Sequence, residues 1–88
     1  SSGVMPEGVA AQTEQTLKNL SAILEASGTD MKKVLKTTMF IKNMDDFPKI
    51  NEIYGKYFDS HHPARACVEV ARLPKDALIE IEAFAATR

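Results

Sequence analysis

Pro63-Ala64-Arg65-Ala66-Cys67-Val68-Glu69-Val70, then Leu73-Pro74-Lys75-Asp76, then Ile79-Glu80-Ile81-Glu82-Ala83 is the stretch that decides the fold. Two short β-type runs flank a Pro-containing turn, and each carries charge where a strand is half buried. Side chains alternate between the two faces of a strand, so Arg65, Cys67 and Glu69 share one side and Ala66, Val68 and Val70 the other. In the second run Ile79, Ile81, Ala83 and Ala85 share one side, and Glu80 and Glu82 the opposite one. An arginine fork and a carboxylate on neighbouring rigid strands would grip a small anion and hold a water beside it.

Upstream of these strands the pattern changes period. From Val9 to Ala26, Ala10, Thr13, Leu17, Leu20 and Leu24 recur at helical spacing, with Ile23 widening the stripe and Gln12, Glu14 and Lys18 lying elsewhere. Gly28 is placed to end this helix in the left-handed conformation. Thr29 to Lys33 allows one short helical turn. Val34 to Lys42 reads as a strand with Leu35, Thr37, Met39 and Ile41 on one face. Asn43 to Asp46 offers a turn and an N-cap, and Pro48 fits only the first turn of the helix that follows. Phe47, Ile50, Tyr54 and Tyr57 or Phe58 form that helix's inward stripe. The order is α-β-α-β-β, an α+β domain with an antiparallel or mixed sheet and two helices on one face. Such a thin sheet leaves edges that want partners.

Size and charge narrow the function classes. A chain of 88 residues makes one domain or less and buries only about 60–65% of its unfolded surface, so its core is marginal unless shared with partners. Eleven basic and twelve acidic residues leave a net charge of −1, which gives no electrostatic footprint for nucleic acid. Cys67 is the single cysteine, so no internal disulfide exists and a reducing compartment is the simpler expectation. No apolar run approaches the roughly 18 residues that span a bilayer. The opening Ser1-Ser2-Gly3, in place of Met, suggests a fragment.

Arg65 is the leading site candidate, because its planar fork matches a carboxylate bidentately. The plainer alternative has its stem packed on the sheet and its head in water or paired to Glu69. Glu80, flanked by Ile79 and Ile81, is suited to hold a water and shuttle a proton. A solvated outer-face glutamate is the alternative for it and for Glu82, and spacing leaves the choice open. Cys67, on the Arg65 face, lines a pocket, is a reactive thiol or is a small buried hydrophobe; the last is favoured, because no neighbouring His or helix N-terminus would lower its pKa. His61 and His62 point in different directions and have no second pair at metal-ligand spacing, which reads as loop rather than zinc or iron site. Asn51 reaches a ligand, a neighbouring chain, or water. Phosphate loops, nucleophile elbows and kinase or zinc signatures are absent.

The run Pro63 to Asp76, followed by Ile79-Glu80-Ile81-Glu82-Ala83, resembles the C-terminal signature of the RidA (YjgF) family of reactive intermediate deaminases. Val34-Leu35-Lys36-Thr37-Thr38, Asp46-Phe47 and Asn51-Glu52-Ile53-Tyr54 are similar to that family's central strand and second helix. The resemblance implies a chorismate-mutase-like α+β fold and a homotrimer with sheets facing inward and ligand pockets between subunits. It implies hydrolysis of 2-iminobutanoate or 2-iminopropanoate to the 2-keto acid and ammonia, with no metal or organic cofactor. These imines are released by pyridoxal-phosphate dehydratases. Arg65 would then bind the substrate carboxylate and Glu80 would orient the attacking water. Cys67, Asn51 and Phe47 would line or support the pocket. A cytoplasmic location is expected, with mitochondria as an alternative. Two departures stand out: the family's N-terminal hairpin, which adds two strands and pocket contacts, is not in these 88 residues, and His62 replaces a common Phe. Two other readings remain open, RNA cleavage with translation inhibition and a non-catalytic ligand-binding or chaperone-like module.

Overall fold

A computed structural model describes residues 8–59 and 62–86. The elements run α1 (Val9–Ala26), β1 (Val34–Ile41), α2 (Phe47–Tyr57), β2 (Ala64–Glu69) and β3 (Ile79–Ala85), with single 3-10 turns before β1, before α2 and between β2 and β3. The α+β architecture read from the sequence is the one observed.

Local chemistry explains the boundaries. After α1, Gly28 takes φ +83°, its N–H bonds Glu25 O at 3.2 Å, and Thr29 N–H reaches back to Leu24 O at 2.9 Å. That double closure is a Schellman motif, which a residue without a Cβ adopts at no steric cost. Asn43 Oδ1 accepts Asp45 N–H at 2.9 Å to start the turn before α2. Pro48 sits in the first turn of α2, where its missing N–H is not needed.

The α1 stripe is narrower than the periodicity suggests. Leu17 and Leu24 are buried, whereas Ile23 is 63% exposed and Ala10 lies in solvent. Gln12, which the spacing put on the polar side, is buried instead and accepts the Leu78 N–H at 2.7 Å. In α2 the inward residues are Ile50, Ile53 and Tyr54, with Phe58 rather than Tyr57 completing them.

The sheet is mixed, in the order β2-β1-β3. β1 runs parallel to β2 and antiparallel to β3, with Thr37 opposite Arg65 on one side and Ala83 on the other. The two C-terminal strands are therefore not neighbours, a correction to the expectation above. The link between them crosses the end of β1: Val70 N–H bonds Ile41 O, and Lys42 N–H bonds Leu78 O. It must span two inter-strand spacings, about 10 Å. A two-residue hairpin turn cannot do that. The link is tightened instead by consecutive left-handed residues, Lys75 (φ 58°) and Asp76 (φ 54°).

A register shift between Val34 and Lys36 corrects the face assignment of β1. An extra residue on one strand inverts the alternation beyond it. Val34 is thus buried with Thr37, Met39 and Ile41, while Leu35 is 62% exposed. The core lies between this inner sheet face and both helices, joining Leu17, Val34, Met39, Ile41, Ile50 and Ile79. The outer face carries Phe40, Val68, Glu80, Glu82 and Phe84, and among the described residues no helix covers it. Val68 is 42% and Phe84 61% exposed there. Among the described residues no helix is long and apolar enough to cross a membrane.

Candidate functional site

Helix α2 runs along the inner side of the sheet beside the edge strand β2. Phe47, Asn51 and Tyr54 are spaced i, i+4, i+7, so they form one stripe along the helix. Arg65, inner-facing near the start of β2, lays its side chain across that stripe. Its Nη1 donates to Asn51 Oδ1. Its guanidinium carbon lies 5.3 Å from the Phe47 ring centre and 5.0 Å from that of Tyr54. Tyr54 is fixed from below: its hydroxyl and the Thr37 hydroxyl share a buried 2.8 Å hydrogen bond. The Tyr54 ring also packs on Phe58 at 4.7 Å between centres.

Beside this arrangement opens a cleft of about 490 Å³ lined by Asn51, Tyr54, Gly55, Phe58, His62, Pro63 and Arg65. One end is charged and hydrogen-bonding, and the opposite wall is aromatic. Arg65 has no acidic partner among the described residues: the described ion pairs are Lys49–Glu52 and Arg72–Asp76. Glu69, the partner that spacing allowed, instead accepts the Met44 N–H at 2.6 Å. A cation held only by an amide oxygen and two ring faces keeps its charge available to an incoming anion.

The other candidates divide. Asn51 lines the cleft, and Phe47 touches the guanidinium without lining it. Cys67 lies two residues beyond Arg65 on the same face, half-buried, and does not line the cleft. Burial pushes its thiol pKa up while the Arg65 charge pulls it down, and burial prevails. Glu80 is separated from this group. From β3 it pairs with Phe40 of β1, on the outer face, whereas Arg65 of β2 pairs with Thr37 of β1 on the inner one. Strand rise and spacing put the two Cα atoms about 14 Å apart, and their side chains leave the sheet in opposite directions. Glu80 is also exposed rather than partly desolvated. His61 lies outside the described residues, while His62 borders the cleft. No three His, Cys, Asp or Glu side chains among the described residues gather as a metal site does.

Of the cleft lining, Tyr54, Gly55, Phe58 and Pro63 were given no site role from the sequence. Tyr54 read as core, which it also is; its position three residues after Asn51 was the available signal. His62 read as solvated loop from the residues alone, while the resemblance marked it as a departure from a common Phe before Pro63; it borders the cleft.

The fold and this group define a class: a two-helix α+β protein presenting an arginine fork in an open, part-aromatic cleft. The chain belongs to the Endoribonuclease L-PSP family, whose profile matches residues 1–87; this is the RidA/YjgF family to which the sequence motifs pointed. It is 51% identical over 89 aligned residues to the 2-iminobutanoate/2-iminopropanoate deaminase of Escherichia coli K12, covering 98% of this chain and 70% of that protein. It is 57% identical over 74 residues to RutC family protein PH0854 of Pyrococcus horikoshii, covering 84% of this chain and 59% of that relative's length. The crystal structure of Escherichia coli TdcF with bound serine superposes with a TM-score of 0.93 at 43% identity, covering 99% of this chain and 71% of that one.

Proposed function

We propose that this chain carries the carboxylate-binding half of a hydrolytic 2-imino acid deaminase, acting on 2-iminobutanoate and 2-iminopropanoate. The observation that carries the reading is Arg65: a guanidinium held by Asn51, Phe47 and Tyr54, bordering a cleft, with no acidic partner among the described residues. Its fork takes the substrate carboxylate. A protonated imine is already electrophilic, so fixing it and aiming a water supplies most of the acceleration. Water oxygen adds to the imine carbon as the C=N π pair moves to nitrogen. The resulting carbinolamine then collapses to the ketone and releases ammonia. Glu80 orients that water and takes its proton. Cys67 and Phe47 shape and support the site beside Asn51.

Arg65 and Glu80 of one chain leave the sheet on opposite sides, so in this reading the carboxylate comes from a neighbouring copy, in a homotrimer whose outer sheet faces point inward. The exposed Val68 and Phe84 on that face support such an assembly. Both outer edges of the sheet, those of β2 and β3, lack a partner among the described residues. In this reading, further strands added at those edges would complete the sheet. RNA cleavage, the activity in the family's name, is less favoured by a net charge of −1.

Subunit mixing tests the reading in the protein at its natural length. Arg65→Ala and Glu80→Ala chains, each inactive alone, are unfolded together and refolded. Random assembly leaves about a quarter of inter-subunit sites with both groups intact, and deaminase activity returns in that proportion. Full activity of Arg65→Ala alone overturns the reading. No recovery on mixing, with both variants assembled, overturns the shared site.

A further inference from the structure

Arg65 is not held by its own strand. β2 is an edge strand, and the residue is exposed, so a long arginine side chain there would sample many rotamers. What surrounds the guanidinium is the α2 stripe. Phe47 and Tyr54 are seven residues apart, about 10.5 Å along a helix axis. A guanidinium carbon 5.3 Å from one ring centre and 5.0 Å from the other lies in the gap between them. Asn51 occupies the middle of that gap and takes Nη1.

The two rings are not equivalent. Phe47 is half-buried and has only packing to hold it. Tyr54 is 6% exposed and is tied through its hydroxyl to Thr37, which is 0% exposed. Thr37 sits on the central strand β1 directly opposite Arg65 in the parallel register. The hydrogen bond therefore fixes the height of the Tyr54 ring above the strand pair that carries the arginine. The two hydroxyls are buried against each other, beneath the ring over which the guanidinium lies.

We propose that Thr37 and Tyr54 form a positioning pair for the anion-binding arginine, their buried hydrogen bond holding the ring on which Arg65 rests. This deepens the reading of Arg65 as the carboxylate anchor and rests on it. The pair acts on ligand binding through Arg65 and does not touch the reacting atoms.

The test titrates 2-oxobutanoate, the keto-acid product, into the full-length protein and its variants, with melting temperature and steady-state turnover measured in parallel. Tyr54→Phe and Thr37→Val keep shape and remove one hydroxyl each. Each weakens binding by about three- to tenfold, the range of a cation–π contact partly lost. KM rises by the same factor and kcat holds. The double variant is no worse than either single one, because both report the same bond. Thr13→Val removes a similarly buried hydroxyl from α1, where it bonds Val9 O at 2.7 Å, and serves as the control: it lowers melting temperature without changing affinity. Unchanged affinity in Tyr54→Phe and Thr37→Val, while Arg65→Ala abolishes binding, overturns the positioning pair and leaves the anchor standing. Affinity lost equally in Thr13→Val reduces the effect to general destabilisation and also overturns it. Binding retained by Arg65→Ala removes the anchor itself.

Discussion

Replacing Arg65 by lysine keeps the charge and removes the fork, so it separates recognition of a carboxylate from simple attraction of an anion. The guanidinium meets Asn51 with one edge while its faces meet Phe47 and Tyr54. That leaves the remaining N–H groups for a ligand, enough for two parallel bonds to a carboxylate. An ammonium at the same backbone position lacks both the flat faces and the second parallel donor. Losing one hydrogen bond to a charged group costs about 1.5–3 kcal/mol, or roughly 10- to 150-fold in the dissociation constant. Because Arg65 is exposed and has no described acidic partner, stability should stay within about 0.5 kcal/mol. Isothermal titration of 2-oxobutanoate at two salt concentrations measures the effect, since the retained charge should keep the salt dependence nearly unchanged. If the Arg65→Lys protein binds within about twofold of the parent, a point charge suffices and the argument from fork geometry fails.

Two further outcomes follow from other parts of the molecule. Val68→Glu with Phe84→Glu places charge on the outer sheet face. Phe84 is 61% exposed and leaves on the order of 120 Å² in water, worth about 3 kcal/mol when a partner covers it. Sedimentation velocity should show the double variant shifted to smaller species with unchanged far-ultraviolet circular dichroism, and an unaltered assembly would sink the expectation. Tyr57 donates to Glu14 Oε1 at 2.8 Å across the two helices. Partial burial, then this bond and the Glu14 charge, push the phenol from 10.0 up to about 12. The folded protein holds that proton more tightly than the unfolded chain. The contribution is therefore fully present below pH about 10 and is lost as pH rises through about 12. In urea titrations the advantage of the parent over Tyr57→Phe should shrink across that window. A gap that stays constant there would contradict the assignment.

What the sequence made legible was local. Gly28 and Pro48 marked helix boundaries because each residue's backbone chemistry allows few alternatives. The alternation of β2 and β3 assigned faces correctly, since period two is a property of the strand itself. What escaped depended on residues distant in the chain. Leu35 was put on one face with Thr37, Met39 and Ile41 because periodicity has no sign of a bulge, which is a property of two strands in register. Gln12 was put outside because its partner, the Leu78 N–H, lies 66 residues away. Strand order was missed for the same reason, as nothing in the 70–78 link says that it crosses β1 rather than turning back. At the candidate site, Arg65 stood out by its donor chemistry, whereas Asn51 was left between ligand, neighbouring chain and water and was tied to a pocket only through the family resemblance. The part played by Tyr54 was hidden because a residue that packs in the core and carries an arginine on its ring has the same spacing as one that only packs.

The parity of the sheet sets a limit that no side-chain rotamer can evade. Arg65 is opposite Thr37 and Glu80 is opposite Phe40, an odd number of residues along the same central strand. With the register regular between those positions, the two side chains must emerge on opposite faces. A substrate small enough to be a four-carbon imine cannot bridge a sheet. If both residues serve one reaction, a second chain has to bring its outer face to the cleft of the first. The guanidinium without a described acidic partner and the wet face bearing Phe84 and Glu80 are then two sides of one arrangement. A neighbouring copy would cover the second and bring its Glu80 to a substrate whose carboxylate the first binds.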